Sequence, residues 1–261
     1  MRIKTTSFQV LLLTTNTVFA APVPVDTSAL DRSLTDKNRF GLGGTTSLAQ
    51  RPFIGVDDQS TSLPYIKYRY QDFYIEGINI GYNLYKTEQS SIELLATPRF
   101  YEVKQSFADD GELNGIDETK PTYLAGVSAQ YQLGPATLTM QLLSDIQESD
   151  GYEFILSASK PFKPHANVTI APSIGVTYQS DELVDHFYGV QANEVAINRP
   201  LYQADASLNP HLSVTAIWQA SKHIQLLGQI KYEQLGDGIT DSPIVDEDSI
   251  ITSVIGAVYL F

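Results

Sequence analysis

The 261-residue sequence contains no cysteine, so it can form neither a disulfide nor a cysteine-based metal site. Charged residues make up only 18% of it, whereas about 25% is usual in soluble proteins. Outside the N-terminus, no apolar run approaches the ~20 residues of a membrane-spanning helix, which excludes a helical membrane protein. Basic residues number 17 against 30 acidic ones. This balance disfavours nucleic acid as a partner, because phosphate binding needs clustered Lys and Arg.

The N-terminus has the pattern of a secretory signal peptide. Arg2 and Lys4 supply a positive start, a short apolar core follows, and segment 18–20 supplies the small residues of a cleavage site. We therefore predict that residues 1–20 are a cleaved signal. Residues 21–37 are rich in Pro, Asp and Ser, and we predict that they form a periplasmic tail. Cleavage of the signal would remove Arg2 and Lys4 and change the net charge from −13 to about −15.

From residue 38 onward, apolar and polar residues alternate over segments of about ten residues, the length that a tilted strand needs to cross a bilayer. The clearest segment is 166–178, which places Val, Ile, Pro and Tyr on one face and small or polar residues on the other. Within it, Pro172 lacks an N–H and predicts a local bulge. Segment 121–132 has Tyr123 and Tyr131 at the two ends of its apolar face, as the aromatic girdles of a barrel require.

The predicted fold is all-β, an antiparallel transmembrane β-barrel over residues 38–261. Ten strands are predicted at 62–70, 73–84, 91–103, 121–132, 135–146, 151–160, 166–178, 209–219, 222–233 and 248–261. Segment 38–47 is an eleventh candidate, and a closed barrel with both termini in the periplasm needs an even number. We therefore predict twelve strands, with 38–47 pairing with a strand near 50–57. The alternative is a ten-stranded barrel with 38–47 outside it.

Connection lengths predict the orientation of the barrel. The long, acidic connections are 104–120, 179–208 and 234–247, and the short ones are 132–135, 161–165 and 220–222. Barrels keep short turns in the periplasm and long loops outside, and the last strand must then run inward to leave Phe261 at the periplasm. A soluble sandwich or lipocalin-like barrel shows the same alternation with its apolar face inside. The signal peptide, the chain terminus and the loop lengths favour a barrel in the outer membrane.

The chain ends on an uncharged strand that matches the Gly-x-x-aromatic-x-Phe ending of bacterial outer-membrane barrels. Gly256, Tyr259 and Phe261 occupy the defining positions. This ending resembles the signal that the barrel-assembly machinery reads. We therefore predict that machinery as a partner, together with the lipid and lipopolysaccharide of the outer membrane.

The titratable residues do not form a recognisable catalytic or metal-binding motif. The four histidines are His165, His186, His211 and His223, and their spacing fits no zinc signature. Ser221 with His223 is an ordinary pair of polar neighbours on one strand face, and the acidic residues around His186 are best interpreted as a solvated loop. We predict that the chain is not an enzyme, with no catalytic residue, no cofactor and no metal.

Two further charge patterns suggest a cation site and ion pairs in the lumen. Five acidic residues crowd the loop between 237 and 248, where they could hold a cation that bridges to lipopolysaccharide phosphates. Arg69, Arg99 and Lys231 are predicted to line the lumen and to pair there with Glu93 or Glu233, because charge is tolerated inside a barrel when it is wet or paired.

Several motifs resemble those of the MipA/OmpV family of outer-membrane proteins, over roughly residues 38–261. The segment Phe187-Tyr188-Gly189-Val190 resembles the family's Tyr-Tyr-Gly-Val, and Asp241-Ser242-Pro243 resembles the start of its Asp-Ser-Pro-x-Val motif. Segment 169–176 resembles its Thr-x-x-Pro-x-Ile-Gly-Val strand, and segment 51–53 falls where the family has a similar cluster. We predict that the first two motifs lie in outer loops.

The resemblance implies a function as well as a fold. The member that gives the family its name is a scaffold that joins a lytic transglycosylase to a bifunctional penicillin-binding protein, and it offers no catalytic residue to carry over. Other members are surface antigens with adhesin or stress-response roles, and a narrow pore is a further alternative. A scaffold for murein enzymes must be contacted from the periplasm. We therefore predict Lys160, Lys163 and Lys222, in basic periplasmic turns, as partner contacts, unless these turns only meet anionic lipid or peptidoglycan.

Overall fold

The computed structural model describes residues 40–108 and 111–261, which form a closed antiparallel β-barrel. The predicted signal peptide and tail lie outside the described residues. The strands are β1 Gly41–Ala49, β2 Gln59–Tyr70, β3 Phe73–Gly77, β4 Asn79–Lys86, β5 Ser90–Arg99, β6 Thr122–Leu133, β7 Ala136–Asp145, β8 Tyr152–Ser159, β9 Phe162–His165, β10 Val168–Gln179, β11 Ser207–Gln219, β12 Ile224–Gln234 and β13 Ser249–Leu260.

Short helices interrupt three of the connections: a 3₁₀ turn at Gln105–Phe107, α1 at Asp181–Tyr188 and α2 at Asp237–Thr240. Of the helices in the described ranges, none has the length and apolar character to span a bilayer.

Twelve of the strands close the wall, which confirms the predicted number. The first, β1, pairs with the last, β13, from Gly41 opposite Leu260 to Ala49 opposite Thr252. The additional strand, β9, pairs with the start of β10, where it continues the line of β8 after a break. Because the strand number is even, both ends of the wall lie at one rim, where the rings of Phe40 and Phe261 stack 5.3 Å apart.

The position predicted for the twelfth strand is wrong. Residues 50–57 form only isolated bridges, and β1 pairs with β2 instead. The twelfth strand arises because segment 73–84 folds back at Gly77 into the β3–β4 hairpin. Gly77 has a φ of +66°, which non-glycine residues rarely adopt. The inward positions change from even-numbered in β3, Tyr74 and Glu76, to odd-numbered in β4, Asn79 and Asn83. The alternation therefore shifts by one residue at this turn, and that shift is the sequence signal of the hairpin.

The irregularity predicted at Pro172 lies in the neighbouring strand. β10 pairs with β11 without a break through Pro172, which lies opposite Val214, so the predicted bulge in β10 is wrong on this side. On the other side, β8 ends opposite Ser173 and β9 begins opposite Ile170. The interruption falls beside the proline, which has no N–H to offer a partner strand.

The apolar faces of the strands point outward, as the alternation predicts. On β6, Tyr123, Val127 and Tyr131 are exposed, whereas the inward Ser128 and Gln130 are buried. Isoleucines on three other strands are 61–69% exposed: Ile174, Ile230 and Ile255. A continuous apolar surface of this kind favours association in water but is required on the outside of a membrane barrel.

Candidate functional site: an outer cap above a polar lumen

The loops at the end opposite Phe261 pack around a common hydrophobic core. They follow β1, β5, β10 and β12, and we call the described residues of 50–58, 100–121, 180–206 and 235–248 the cap. The largest buried side chains of this core are Phe53, Val103, Leu113, Ile116, Leu183, Val184, Phe187, Tyr188, Val190, Leu235, Ile239 and Ile244. Because these loops leave the wall on different sides, their shared core lies across the predicted outer mouth.

The two motifs predicted to lie in outer loops meet inside the cap. Phe187 and Tyr188 end α1 with their side chains buried, and Val190 is fully buried beyond Gly189. Ser242 follows α2 and donates its hydroxyl to the Tyr188 carbonyl oxygen at 2.5 Å. The motifs therefore hold the cap together and do not form an exposed binding loop.

The segment 51–53 joins the same cluster from the β1–β2 loop. The ring of Phe53 stacks on that of Tyr188 with centroids 5.5 Å apart. The Arg51 guanidinium lies 5.2 Å from the centre of the Tyr101 ring, and its Nη2 donates to Gln59 Oε1 at 3.0 Å. The Tyr101 and Tyr188 hydroxyls are 2.5 Å apart. Arg51 and the two tyrosines thus fasten three loops directly above the lumen.

Burial sets the ionisation of this cluster. It raises the pKa of Tyr188 to about 12 and raises the pKa of Tyr101 well above its ordinary value. Burial also lowers the pKa of the Arg51 guanidinium, while Tyr101, Tyr188 and Glu102 oppose that shift. Both tyrosines therefore stay protonated at neutral pH and act as hydrogen-bonding groups.

The α1 helix carries the acidic residues around His186. Ser180 caps it by accepting from Leu183 N at 3.4 Å, and its apolar face packs into the cap. Burial lowers the pKa of His186, whereas the nearby carboxylates of Asp145, Glu148 and Asp185 act to raise it.

A cavity of about 470 Å³ lies beside the helix. The titratable residues in its lining are Asp117, Glu118, Glu148, Asp150, Glu182, Asp185, His186 and Glu194. Across residues 40–108 and 111–261, no group of three or more His, Asp or Glu side chains is arranged to hold a metal ion.

The other histidines lie apart from one another. Exposed His165 contacts Asn167 Oδ1 through Nδ1 at 2.5 Å. The His223 ring stacks on Tyr259, and Ser221 Oγ accepts from the His223 backbone N–H at 3.2 Å, so this Ser–His pair closes a turn. His211 is buried inside the barrel.

Below the cap, the lumen contains a cavity of about 360 Å³ lined by inward-facing polar side chains. The predicted pairing of Lys231 with Glu233 is confirmed, with Nζ and Oε2 3.0 Å apart. Arg99 pairs with Glu153 of β8, which the sequence did not predict, and Glu93 accepts from the Tyr74 hydroxyl at 2.9 Å. The Arg69 guanidinium lies 5.1 Å from the centre of the Tyr74 ring.

The three lysines predicted as partner contacts are exposed at the rim that carries Phe261. Lys160 lies in the β8–β9 turn, Lys163 in β9 and Lys222 in the β11–β12 turn. The ends of these turns are joined, because Gln219 N donates to Asn167 O at 2.8 Å and Asn167 Nδ2 donates to Gln219 O at 3.2 Å. The fold therefore brings the basic turns to one sector of the rim.

The predicted assembly signal also lies on accessible surface. Tyr259 is 48% exposed and Phe261 is 68% exposed, with their ring centroids 5.1 Å apart. A Cβ at Gly256 would lie 2.7 Å from Thr45 Cγ2 and 2.9 Å from Gly44 O. The close approach of β13 to β1 thus accounts for the glycine, whereas its role in assembly stays a prediction.

Comparison with known proteins identifies the family. A family model described as MltA-interacting protein MipA matches residues 42–261. The chain belongs to the MipA family. Two relatives come from Escherichia coli strain K12. The putative outer membrane protein YiaT is 24% identical over 226 residues, 86% of this chain and 92% of the relative. The MltA-interacting protein is 26% identical over 215 residues, 81% of this chain and 86% of the relative.

Among solved structures, an outer membrane channel from Pseudomonas putida F1 is similar with a TM-score of 0.42 and 11% identity, over 87% of this chain and 97% of that chain. Relatives of this MipA-family chain include proteins named as outer membrane proteins, such as YiaT and OmpV of Vibrio cholerae, and its wall is a twelve-stranded barrel with an apolar exterior. The protein is therefore an outer-membrane β-barrel, as the sequence predicts.

Sequence reasoning missed the core of the cap and the lumen cavity. One sequence signal exists for the cap: Leu183, Val184 and Phe187 have the spacing of an apolar helical face inside a loop whose acidic composition predicts a solvated surface. The cavity had no such signal. Its lining comes from almost every strand, and alternation shows only which residues face inward.

Proposed function

We propose that this MipA-family protein is an outer-membrane scaffold that holds a lytic transglycosylase, together with a penicillin-binding protein, at its periplasmic rim. The observation that carries the proposal is the difference between the two ends of the barrel. The outer end lies under a packed hydrophobic cap, whereas the other rim presents exposed basic turns. The name of the MltA-interacting protein relative supports a murein enzyme as the partner class.

The extra strand β9 lies at that rim. All four of its residues are exposed, including Phe162 at 49% and the flanking Lys163. Pro164 lacks an N–H, and Lys and Pro on an edge strand oppose pairing with a foreign strand. A partner would therefore contact β9 through its side chains, which include the Phe162 ring and the Lys163 ammonium group.

The test is capture of purified lytic transglycosylase and penicillin-binding protein by the intact barrel in detergent. Charge reversal at Lys160, Lys163 and Lys222 to Glu should slow association about tenfold and reverse its salt dependence, because rim charges act mainly on association. Lys120→Glu, an exposed lysine in the cap, is the matched control and should bind like the wild type.

Two outcomes would oppose the proposal in different ways. If the wild type captures neither enzyme, the scaffold role does not apply to this chain. If capture occurs and the triple variant binds unchanged, the basic rim is not the contact. Loss of binding to anionic vesicles in the same triple variant, with enzyme capture intact, would assign these turns to lipid.

A surface adhesin is a second candidate, favoured by an apolar projection on the cap. Ile197 is fully exposed and Leu201 is 63% exposed. Between them, buried Arg199 anchors the loop by donating to the carbonyl oxygens of Glu112 at 2.9 Å and Asn114 at 2.7 Å. Under this alternative, Ile197→Asp with Leu201→Asp would reduce attachment of expressing cells to a surface, whereas the scaffold role predicts no change.

A further inference from the structure

The cavity in the lumen has the size and position of a small-molecule site. Its volume is about 360 Å³, near the lower end of the ~300–1,000 Å³ range that is common for such sites. Tyr101, Phe187 and Tyr188 of the cap form its aromatic end, and polar side chains of the wall form its sides. It extends from the cap to Lys86 and Gln130 near the periplasmic ends of β4 and β6.

Three buried polar atoms in the lining have no hydrogen-bond partner in the part of the chain that the structure describes. They are Asn79 Oδ1, Thr97 Oγ1 and Gln229 Oε1. Because Ile80 lies opposite Ala96, the Asn79 and Thr97 side chains are neighbours across β4 and β5. Buried acceptors without donors are rare and costly in folded proteins. A molecule in the cavity that brings hydrogen-bond donors would satisfy them.

The charges in the lining are nearly balanced. The cations are Arg51, Arg69, Lys86, Arg99 and Lys231, and the anions are Glu76, Glu93, Glu153 and Glu233. Arg99 with Glu153 and Lys231 with Glu233 are ion pairs inside the barrel. A multiply charged molecule would gain little net attraction from such a lining and would lose its hydration. The balance favours a neutral ligand.

We propose that this cavity binds a neutral saccharide of one or two rings. Sugar hydroxyls can donate to the oxygens of Asn79 and Gln229, and they can donate to or accept from the Thr97 hydroxyl. The C–H face of a pyranose ring can pack on the aromatic rings at the upper end of the cavity. An apolar ligand would leave the three polar groups without hydrogen-bond partners. This inference does not rest on the scaffold role.

The test is calorimetric titration of the full-length protein, purified in a detergent without a sugar headgroup, with N-acetylglucosamine and with maltose. At least one of the two should bind saturably with a Kd of about 1 mM. Thr97→Val and Gln229→Leu should each weaken that binding about fivefold, because each removes one hydrogen-bonding group from the cavity.

Matched controls change the same residue types at inward positions outside the lining. Thr169→Val on β10 and Gln225→Leu on β12 should leave the Kd within about twofold of the wild type. Heat-modifiable gel mobility verifies that every variant contains a folded barrel. The inference is overturned if neither saccharide binds at about 50 mM. It is also overturned if the Thr97 and Gln229 variants bind as tightly as the wild type or no worse than the controls.

Discussion

At the scale of single residues, the cap depends on buried polar contacts between sequence-distant loops. Ser242 is the sharpest case, because its buried hydroxyl donates to the Tyr188 carbonyl oxygen. Ser242→Ala would leave that carbonyl without this donor, and losing a buried partner costs about 1–3 kcal/mol. We expect faster proteolysis of the outer loops in the variant. The control is Ser60→Ala, at an exposed position on β2, whose outer loops should be cleaved at the wild-type rate. Equal cleavage rates for the wild type and both variants would contradict this account.

His186 predicts an acid-sensitive cap. Burial lowers its folded-state pKa, so the unfolded loop binds the proton more readily than the folded one. The stability that neutral His186 contributes is complete above its unfolded-state pKa of about 6.5 and is lost as the pH falls through the lower folded value. His186→Gln should therefore flatten the rise in outer-loop proteolysis between about pH 7 and pH 5. An identical pH profile in variant and wild type would refute this role.

The lumen contacts show how far the sequence predicts single residues. The sequence predicts the pairing of Lys231 with Glu233, because the two residues lie two positions apart on the inward face of one strand. Arg99 and Glu153 lie on β5 and β8, which are not neighbouring strands, and meet only because the barrel closes. Contacts across a lumen depend on closure, which alternation does not encode.

At the scale of elements, the β3–β4 hairpin depends on Gly77. A Cβ at this position would meet the Tyr65 ring at 3.2 Å, and its φ is +66°. Gly77→Ala should cost about 1–2 kcal/mol, because a left-handed conformation is unfavourable for residues with a Cβ. We expect a lower temperature for the shift in gel mobility on heating. Gly44→Ala, at a glycine with only ordinary contacts and no positive φ, is the control, and equal shifts would exclude the strained turn.

The terminal strand carries a prediction about assembly. Phe261 is exposed at the rim and stacks on Phe40, so the folded wall loses little core packing if it is changed. Phe261→Asp should nevertheless reduce the amount of heat-modifiable barrel in outer membranes, because the aromatic ending is removed. Phe162→Asp changes an exposed aromatic at the same rim and should assemble normally. Normal assembly of the Phe261 variant would remove the basis for the predicted signal.

At the scale of the whole molecule, the sequence predicts the wall far better than the cap. Strand faces and loop lengths follow from alternation and turn residues, which are local properties, and the even strand number follows from closure. The cap follows from contacts between loops that are far apart in sequence, such as Phe53 with Tyr188 and Ser242 with Tyr188. Their apolar residues have no common period, so the acidic composition of these loops predicts a solvated surface and not a core.

The cap also sets the expectation for transport through the whole barrel. Its core of aromatic and branched side chains lies across the outer mouth. A second cluster, which includes Ile217, Leu227 and Val258, fills part of the lumen toward the other rim. Ions would therefore meet packed apolar side chains, and the intact barrel should not conduct. Phe53→Asp, which places a charge in the core of the cap, should increase leakage and serves as the positive control.

The most direct test of the capped barrel is single-channel conductance of the purified protein in a planar bilayer. The cap predicts a silent bilayer for the wild type, with openings only when the cap is disrupted, as in Phe53→Asp. Steady, reproducible openings from the wild-type barrel would contradict a closed outer end and would make the protein a pore.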